Sequence, residues 1–226
     1  EDLEIDALQT YALNSETADF SAKNIQVIDG SYYFDIIYPG GFCKGVQSGL
    51  AGIHNVENAI GAFSMAFNQG ISVEGITRAI SIFSGVKRRF EYHVKTKNKV
   101  YIDDYAHHPK EIEISIQSVR ELFPNKSLTV VFQPHLFSRT NDFMSEFAKA
   151  LSRADRVMLL DIYPARELPI EGVSSTVLLE QISCGYKGLY KKESVVKFLS
   201  DSEVVLTLGA GDISDLINPI KIHLLS

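Results

Sequence analysis

An α/β fold with a doubly wound, mostly parallel sheet is the architecture this 226-residue sequence predicts. Three observations predict it. From about Phe90 onward, short apolar runs alternate with amphipathic stretches, the rhythm of strands joined by right-handed helical crossovers. One run, Val100-Tyr-Ile-Asp-Asp-Tyr-Ala-His-His-Pro109, ends in two carboxylates, a phenol and two imidazoles, then proline and a helix. Such groups are costly to bury and unnecessary for packing, and open α/β sheets bind ligands at strand exits. Three further strand exits are equally unusual: Gln133–Thr140, Ile162–Gly172 and Gly209–Ile213.

The elements follow in order. The chain opens on Glu1 rather than Met, so the start reads as the middle of something. Asn24–Ile37 alternates around Asp29-Gly30, a two-residue hairpin turn. Two strands alone are marginal, so this hairpin is expected to need a sheet from chain absent here. After a loop at Pro39-Gly40-Gly41 the period becomes helical: Val56, Ala59, Ile60, Phe63 and Phe67, stopped by Gly70. Ser72 is a candidate N-cap for a second helix carrying Ile76, Ala79, Ile80 and Phe83 on one face, ended by Gly85. The junction falls near Lys87–Phe90, dividing the chain into 1–88 and 89–226. Beyond it, strands read at Lys99–Asp104, Ser127–Phe132, Arg156–Asp161, Gly188–Tyr190 and Val204–Leu208. Helices read after Pro109, Thr140, Ser174 and Glu193, with a short last one after Asp212.

Composition narrows the function. Hydrophobic residues at 45% and charged residues at 22% suit a soluble globular protein. A net charge of -6 without a basic run argues against a nucleic-acid surface. Cys43 and Cys184 stand far apart, as free thiols do in a reducing cytoplasm. No secretory segment or bilayer-length apolar run is present.

The candidate residues each admit two readings. Asn55 and Asn58, three apart, share a helix face; their carboxamides could meet the N6 and N7 edge of adenine or could cap the helix. In Lys87-Arg-Arg-Phe-Glu91 the arginine forks could bind phosphate, or the turn could be merely solvated. Asp103, Asp104, His107 and His108 could hydrogen-bond a nucleotide and substrate or hold a metal, and one aspartate could accept from ribose hydroxyls. Spacing does not say which. His135 and Arg139 share the second loop, and Arg139 could hold a carboxylate or phosphate. Gly209-Ala-Gly211 allows close backbone approach, but no Gly-x-Gly-x-x-Gly is completed. Ser174 and Ser175 have no His/Asp constellation beside them in sequence.

Taken together, Gly52-Ile-His-Asn-Val-Glu-Asn58, Phe83-Ser-Gly-Val-Lys-Arg-Arg-Phe-Glu91, Asp103-Asp-Tyr-Ala-His-His-Pro109 and Phe132-Gln-Pro-His135 resemble the Mur ligases, in order, across nearly the whole chain. The resemblance is strongest to the member that joins L-alanine to UDP-N-acetylmuramate at the start of peptidoglycan peptide synthesis. The segment Phe132–Thr140 speaks against the murein-tripeptide recycling ligase, which has a Glu-Pro-Arg-Ser-Asn-type segment there. The resemblance implies the tail of a central ATP-binding domain followed by a complete C-terminal Rossmann-like domain. It implies ATP and Mg2+, with the P-loop and the metal ligands upstream of Glu1, so no metal ligand is assigned here.

By motif position the resemblance implies that Asn55 and Asn58 contact adenine, Arg89 reaches the phosphates, Asp104 binds the ribose and Tyr105 lies near the base. His107, His135 and Arg139 would line the alanine and acyl-phosphate end, with His107 and Arg139 catalytic. Leu136 stands where the family often has arginine, which weakens Arg139's assignment as sole carboxylate clamp. The implied reaction makes an acyl phosphate that the amine of L-alanine attacks, chemistry that rests on positioning and charge stabilisation. This stretch alone is expected to be inactive. The alternatives are a related ligase with a peptide acceptor and a non-catalytic nucleotide-binding module.

Overall fold

The computed structural model describes residues 8–226, so the expectation attached to Glu1 lies outside the described residues. Two compact units divide the chain, Glu1–Gly85 and Val86–Ser226.

The first unit holds a four-stranded sheet in sequence order: β1 (Tyr11–Leu13), β2 (Phe20–Ile28), β3 (Ser31–Tyr38) and β4 (Gly41–Gln47). The hairpin forms as expected, with Asp29 and Gly30 at φ 49° and 69° in the turn. Its neighbours within this chain are β1 and β4. The loop at Pro39-Gly40 is the two-residue tip of a second hairpin, in which Tyr38 pairs with Gly41. Helix α1 (Ile53–Asn68) packs on it, burying Val56, Ile60 and Phe63 among Phe20, Ala22, Phe34 and Ile36. Phe20, Tyr38, Phe63 and Phe67 form a cluster of tilted and edge-on rings. Helix α2 (Val73–Ile82) starts at Ser72, whose hydroxyl accepts from Gly75 N–H at 3.2 Å. Only Ile76 of its apolar face is buried, and Phe83 lies past the helix end, 52% exposed. An apolar cleft of about 440 Å³ opens instead along Ala59, Ala62, Ile76, Ile80 and Phe83.

The second unit is the expected α/β layer structure. Its six-stranded sheet has the order β5-β6-β10-β7-β8-β9. The strands are β5 (Glu91–Lys95), β6 (Val100–Asp104), β7 (Leu128–Phe132), β8 (Arg156–Leu159), β9 (Tyr186–Leu189) and β10 (Val204–Leu208). All run parallel except β5, an antiparallel edge strand that the expected elements lacked. Strands β6, β7 and β10 are buried along their whole length, as helices on both faces require.

Helix α3 (Pro109–Leu122) crosses one face and packs on α5 (Met144–Leu151), which packs on α6 (Ser175–Gln181). On the other face Tyr101, Val131, Met158 and Val205 meet Val195 of the 3-10 segment Lys192–Phe198, its cap Leu199, and Ile220 and Leu224 of α7 (Ile217–Leu225). The stretch expected to begin a helix after Thr140 is already helical at α4 (Phe137–Asp142) and breaks at Phe143. The helix expected after Glu193 is a 3-10 segment, Lys192–Phe198. Strand β10 arrives from the second face and inserts between β6 and β7, which α3 joins across the first. Such a reversal of winding is where open α/β sheets place their ligand crevice, at the carboxyl ends of the strands.

Candidate functional site at the strand exits of the second unit

Three of the four unusual loops exit β6, β7 and β8, and the fourth exits β10, so all lie on one edge of the sheet. Side chains link them. The His107 ring sits edge-on to His135 with centroids 6.3 Å apart, and His135 stacks on Tyr163 at 5.5 Å and 16°. Arg139, at the last turn of α4, places Nη1 3.3 Å from His135 Nδ1. Burial, Arg139 and His107 all lower the His135 pKa, so its ring is neutral at pH 7 and Nδ1 can accept from the guanidinium. His107 Nδ1 lies 3.0 Å from the Tyr105 carbonyl, which accepts a hydrogen bond from Nδ1–H and leaves Nε2 free of that contact.

The histidine doublet divides its work. His108 caps α3, and the Glu111 carboxylate reaches back to the N–H groups of His107 and His108 at 3.0 and 3.2 Å. This holds Glu111 below the usual carboxylate range despite its burial, with His107 and Arg89 contributing. Only His107 faces the rim cluster. Among the described residues no three His, Cys, Asp or Glu side chains gather as ion ligands.

The two aspartates also differ. Asp103 is fully buried; it accepts from Thr207 Oγ1 at 2.5 Å and pairs with Arg88 Nε at 2.9 Å. Breaking such a pair by removing one partner costs about 3–5 kcal/mol. Asp104 is 8% exposed and accepts from Ala106 N–H at 3.1 Å and Ser115 Oγ at 2.7 Å. Burial pushes its carboxyl above the ordinary value, against those two hydrogen bonds and the nearby Arg89. A carboxyl raised in the folded state contributes stability fully below its unfolded value of 3.8, and that contribution is lost as pH rises through the folded value. Asp104→Asn can donate to Ser115 and accept from Ala106 without the charge. Its melting temperature should exceed the wild type's at neutral pH and lose that advantage below the unfolded value. Melts at the two pH values check this, and an advantage that persists in acid would contradict it.

Of the junction arginines, Arg89 is exposed and Arg88 is half-buried. Tyr105 has both guanidinium carbons near its ring, at 5.2 and 5.5 Å. Gly209 and Gly211 close the fourth loop against Gln133. A Cβ on Gly209 would meet Gln133 O at 2.7 Å, and one on Gly211 would meet Gln133 Oε1 at 2.5 Å. Gln133 in turn accepts from Ile213 N–H and donates to Asp212, which Lys192 also holds.

Asn55 and Asn58 belong to the first unit and do share a face, with Asn58 Nδ2 3.3 Å from Asn55 Oδ1. Asn55 donates to the Ala51 carbonyl at 2.7 Å, and Gly52 takes the N-cap position with no side-chain cap. Ser174 caps α6 and Ser175 donates to the Leu160 carbonyl, so both serines serve structure. Sequence reasoning did not single out Arg88, Gln133 or Tyr163. A glutamine one residue past the end of β7 and a tyrosine four past the end of β8 carried the only signal for the last two.

Residues 88–211 match the family described as Mur ligase, glutamate ligase domain. The UDP-N-acetylmuramate--L-alanine ligase of Christiangramia forsetii is 50% identical over 213 residues, covering 93% of this chain and 47% of its own length. The protein of that name from Flavobacterium psychrophilum is 48% identical over 209 residues, covering 92% of this chain and 47% of its own. Among solved structures, UDP-N-acetylmuramate-alanine ligase MurC from Thermotoga maritima superposes with a TM-score of 0.74 at 25% identity, covering 92% of this chain and 46% of that one. The chain spans about half the length of the curated relatives it matches.

Proposed function

The chain belongs to the Mur ligase family, and from that premise we propose that its protein is the ATP-dependent ligase joining L-alanine to the lactyl carboxylate of UDP-N-acetylmuramate. The observation that carries this reading is the 50% identity, across 93% of the chain, to a protein of that name. In this reading 1–88 is the end of an ATP-binding domain and 89–226 the domain that presents the amino acid. The enzyme works in the cytoplasm, with Mg2+ bound by residues outside this chain. Among the described residues no helix is long and apolar enough to cross a membrane.

The residues present fit a nucleotide. The rim offers the exposed Arg89 guanidinium beside Tyr105, and a carboxylate at Asp104. Arg89 serves the phosphates, Asp104 the ribose and Tyr105 the base; in the first unit, taken by itself, Asn55 and Asn58 offer carboxamides of the kind that suit adenine. ATP supplies the activation of the carboxylate as an acyl phosphate. The residues of this chain do the positioning. Arg139 holds an anionic oxygen, and the neutral His135 beside it keeps the guanidinium oriented without a second full charge. His107 Nε2 accepts the proton released as the amine of L-alanine attacks.

Phosphate release from ATP by the full-length protein, with UDP-N-acetylmuramate and L-alanine, glycine, L-serine or a murein tripeptide added in turn, tests the proposal. Release that depends on L-alanine is expected. Release with the tripeptide alone would move the protein to the recycling class, and none with any acceptor would leave a nucleotide-binding module.

A further inference from the structure

We propose that Arg88 is a positioning residue: paired with buried Asp103, it staples the junction turn to the strand exits and so aims Arg89 and Tyr105 at the nucleotide. This rests on the nucleotide reading given above.

Four contacts converge on Arg88. Its Nε meets Asp103 Oδ2 at 2.9 Å, at the end of β6, and its Nη2 donates to the Gly209 carbonyl at 2.6 Å, at the exit of β10. Its backbone N–H donates to Glu91 Oε2 at 2.8 Å, and its carbonyl accepts from Tyr105 N–H at 2.6 Å. One residue thereby ties together the turn, the exits of two adjacent strands and the backbone of Tyr105. The turn needs this support. Arg88 and Phe90 both sit in the left-handed region, at φ 60° and 52°, which side-chain-bearing residues rarely adopt unless the surroundings hold them.

The far end of the network is equally fixed. Asp103 is fully buried, and Thr207, itself buried on the neighbouring strand β10, gives it a second hydrogen bond and lies 3.2 Å from Tyr101 Oη. A buried carboxylate with a fork-shaped partner sets a direction as well as a distance. Arg89, next in the chain, is exposed and reaches the same aromatic ring, 5.5 Å from the Tyr105 centroid. The direction Arg89 takes is therefore a consequence of where Arg88 is pinned. Lysine at 88 would keep the charge but lacks the two nitrogens needed to reach Asp103 and Gly209 together.

The test is a double-mutant cycle in the full-length protein, read as the ATP dissociation constant by calorimetry, with melting temperature measured in parallel. Arg88→Lys and Arg89→Ala should each weaken ATP binding, Arg88→Lys by roughly tenfold as small misplacements do. In the Arg89→Ala background the further effect of Arg88→Lys should largely vanish, because it acts through Arg89 and the Tyr105 seat beside it. Asp103→Asn, which keeps the shape and loses the charge, is the second variant if Arg88→Lys does not fold, and the same non-additivity is expected. Additive losses in both variants, or a lowered melting temperature with unchanged ATP affinity, would overturn the proposal. A wild type that binds ATP yet releases no phosphate with any acceptor would defeat the ligase reading and leave the staple to be judged on the cycle. A wild type that binds no ATP would overturn both.

Discussion

Arg139→Ala in the full-length protein should lower kcat/KM for L-alanine by roughly 10²–10³-fold, the loss that follows removal of one charge-stabilising donor from a reaction centre. The expectation rests on what surrounds Arg139. It is half-buried on α4, and the side chain nearest its guanidinium is a histidine kept neutral by burial. The hydroxyl and the backbone N–H of Ser138 engage Glu167 at 2.5 and 2.9 Å, so that carboxylate is already occupied beside it. The positive charge is thus left to face the rim rather than being spent internally. Arg139→Lys keeps the charge but loses the bidentate fork, and should recover only part of the loss. Steady-state kinetics with L-alanine varied at saturating ATP would show it. A change confined to the KM for ATP would place Arg139 on the nucleotide instead.

Gly211→Ala should be strongly damaging to the second unit. The backbone at Gly211 is extended, so the objection is steric rather than conformational. A methyl group would stand 2.5 Å from Gln133 Oε1 and 2.7–2.8 Å from Cγ and Cβ of Tyr163. Neither neighbour yields easily. Gln133 is buried and bonded to Ile213 and Asp212, and the Tyr163 ring stacks on His135 while its backbone bonds Pro134 and Leu136. Overpacking of this kind costs about 1–3 kcal/mol. Tyr163 should shift and carry His135 with it, so thermal melts should show the stability loss and kinetics a fall in kcat of roughly tenfold or more. Wild-type kinetics in the variant would mean that the His135–Tyr163 stack does not matter to turnover.

The second unit was largely readable from sequence because its elements are regular. Val204–Leu208 and the helix from Pro109 fall where their apolar patterns place them, and the proline and Glu111 mark the helix start. Where the pattern is interrupted, reading failed for local reasons. Strand β5 carries a register shift between Tyr92 and Val94, so its alternation never completes. Strand β4 has a similar shift opposite Phe34 and Ile36, and a left-handed Gly45 at φ 64°. Both are edge strands with charged or small residues, which sequence reads as loop. The break between α4 and α5 comes from a single non-helical residue, Phe143.

The site shows the same division. The four loops were visible because polar residues at strand exits have few structural uses, and the grouping of His107, His135 and Arg139 came only through the resemblance to the Mur ligases. The division of labour between adjacent like residues was not visible. Arg88 and Arg89, Asp103 and Asp104, and His107 and His108 differ only in which way the backbone turns them. At Arg88 that turn is a left-handed conformation set by partners as far along the chain as Gly209.

The measurement that bears most directly on the ligase reading is a competition. The full-length protein would be incubated with ATP, Mg2+, UDP-N-acetylmuramate and an equal mixture of L-alanine, glycine, L-serine and murein tripeptide, and the products resolved by mass spectrometry. The account predicts one dominant product, UDP-N-acetylmuramate heavier by a single alanyl residue, absent when ATP is withheld. A dominant tripeptide adduct, or unchanged UDP-N-acetylmuramate while ATP remains bound, would contradict it.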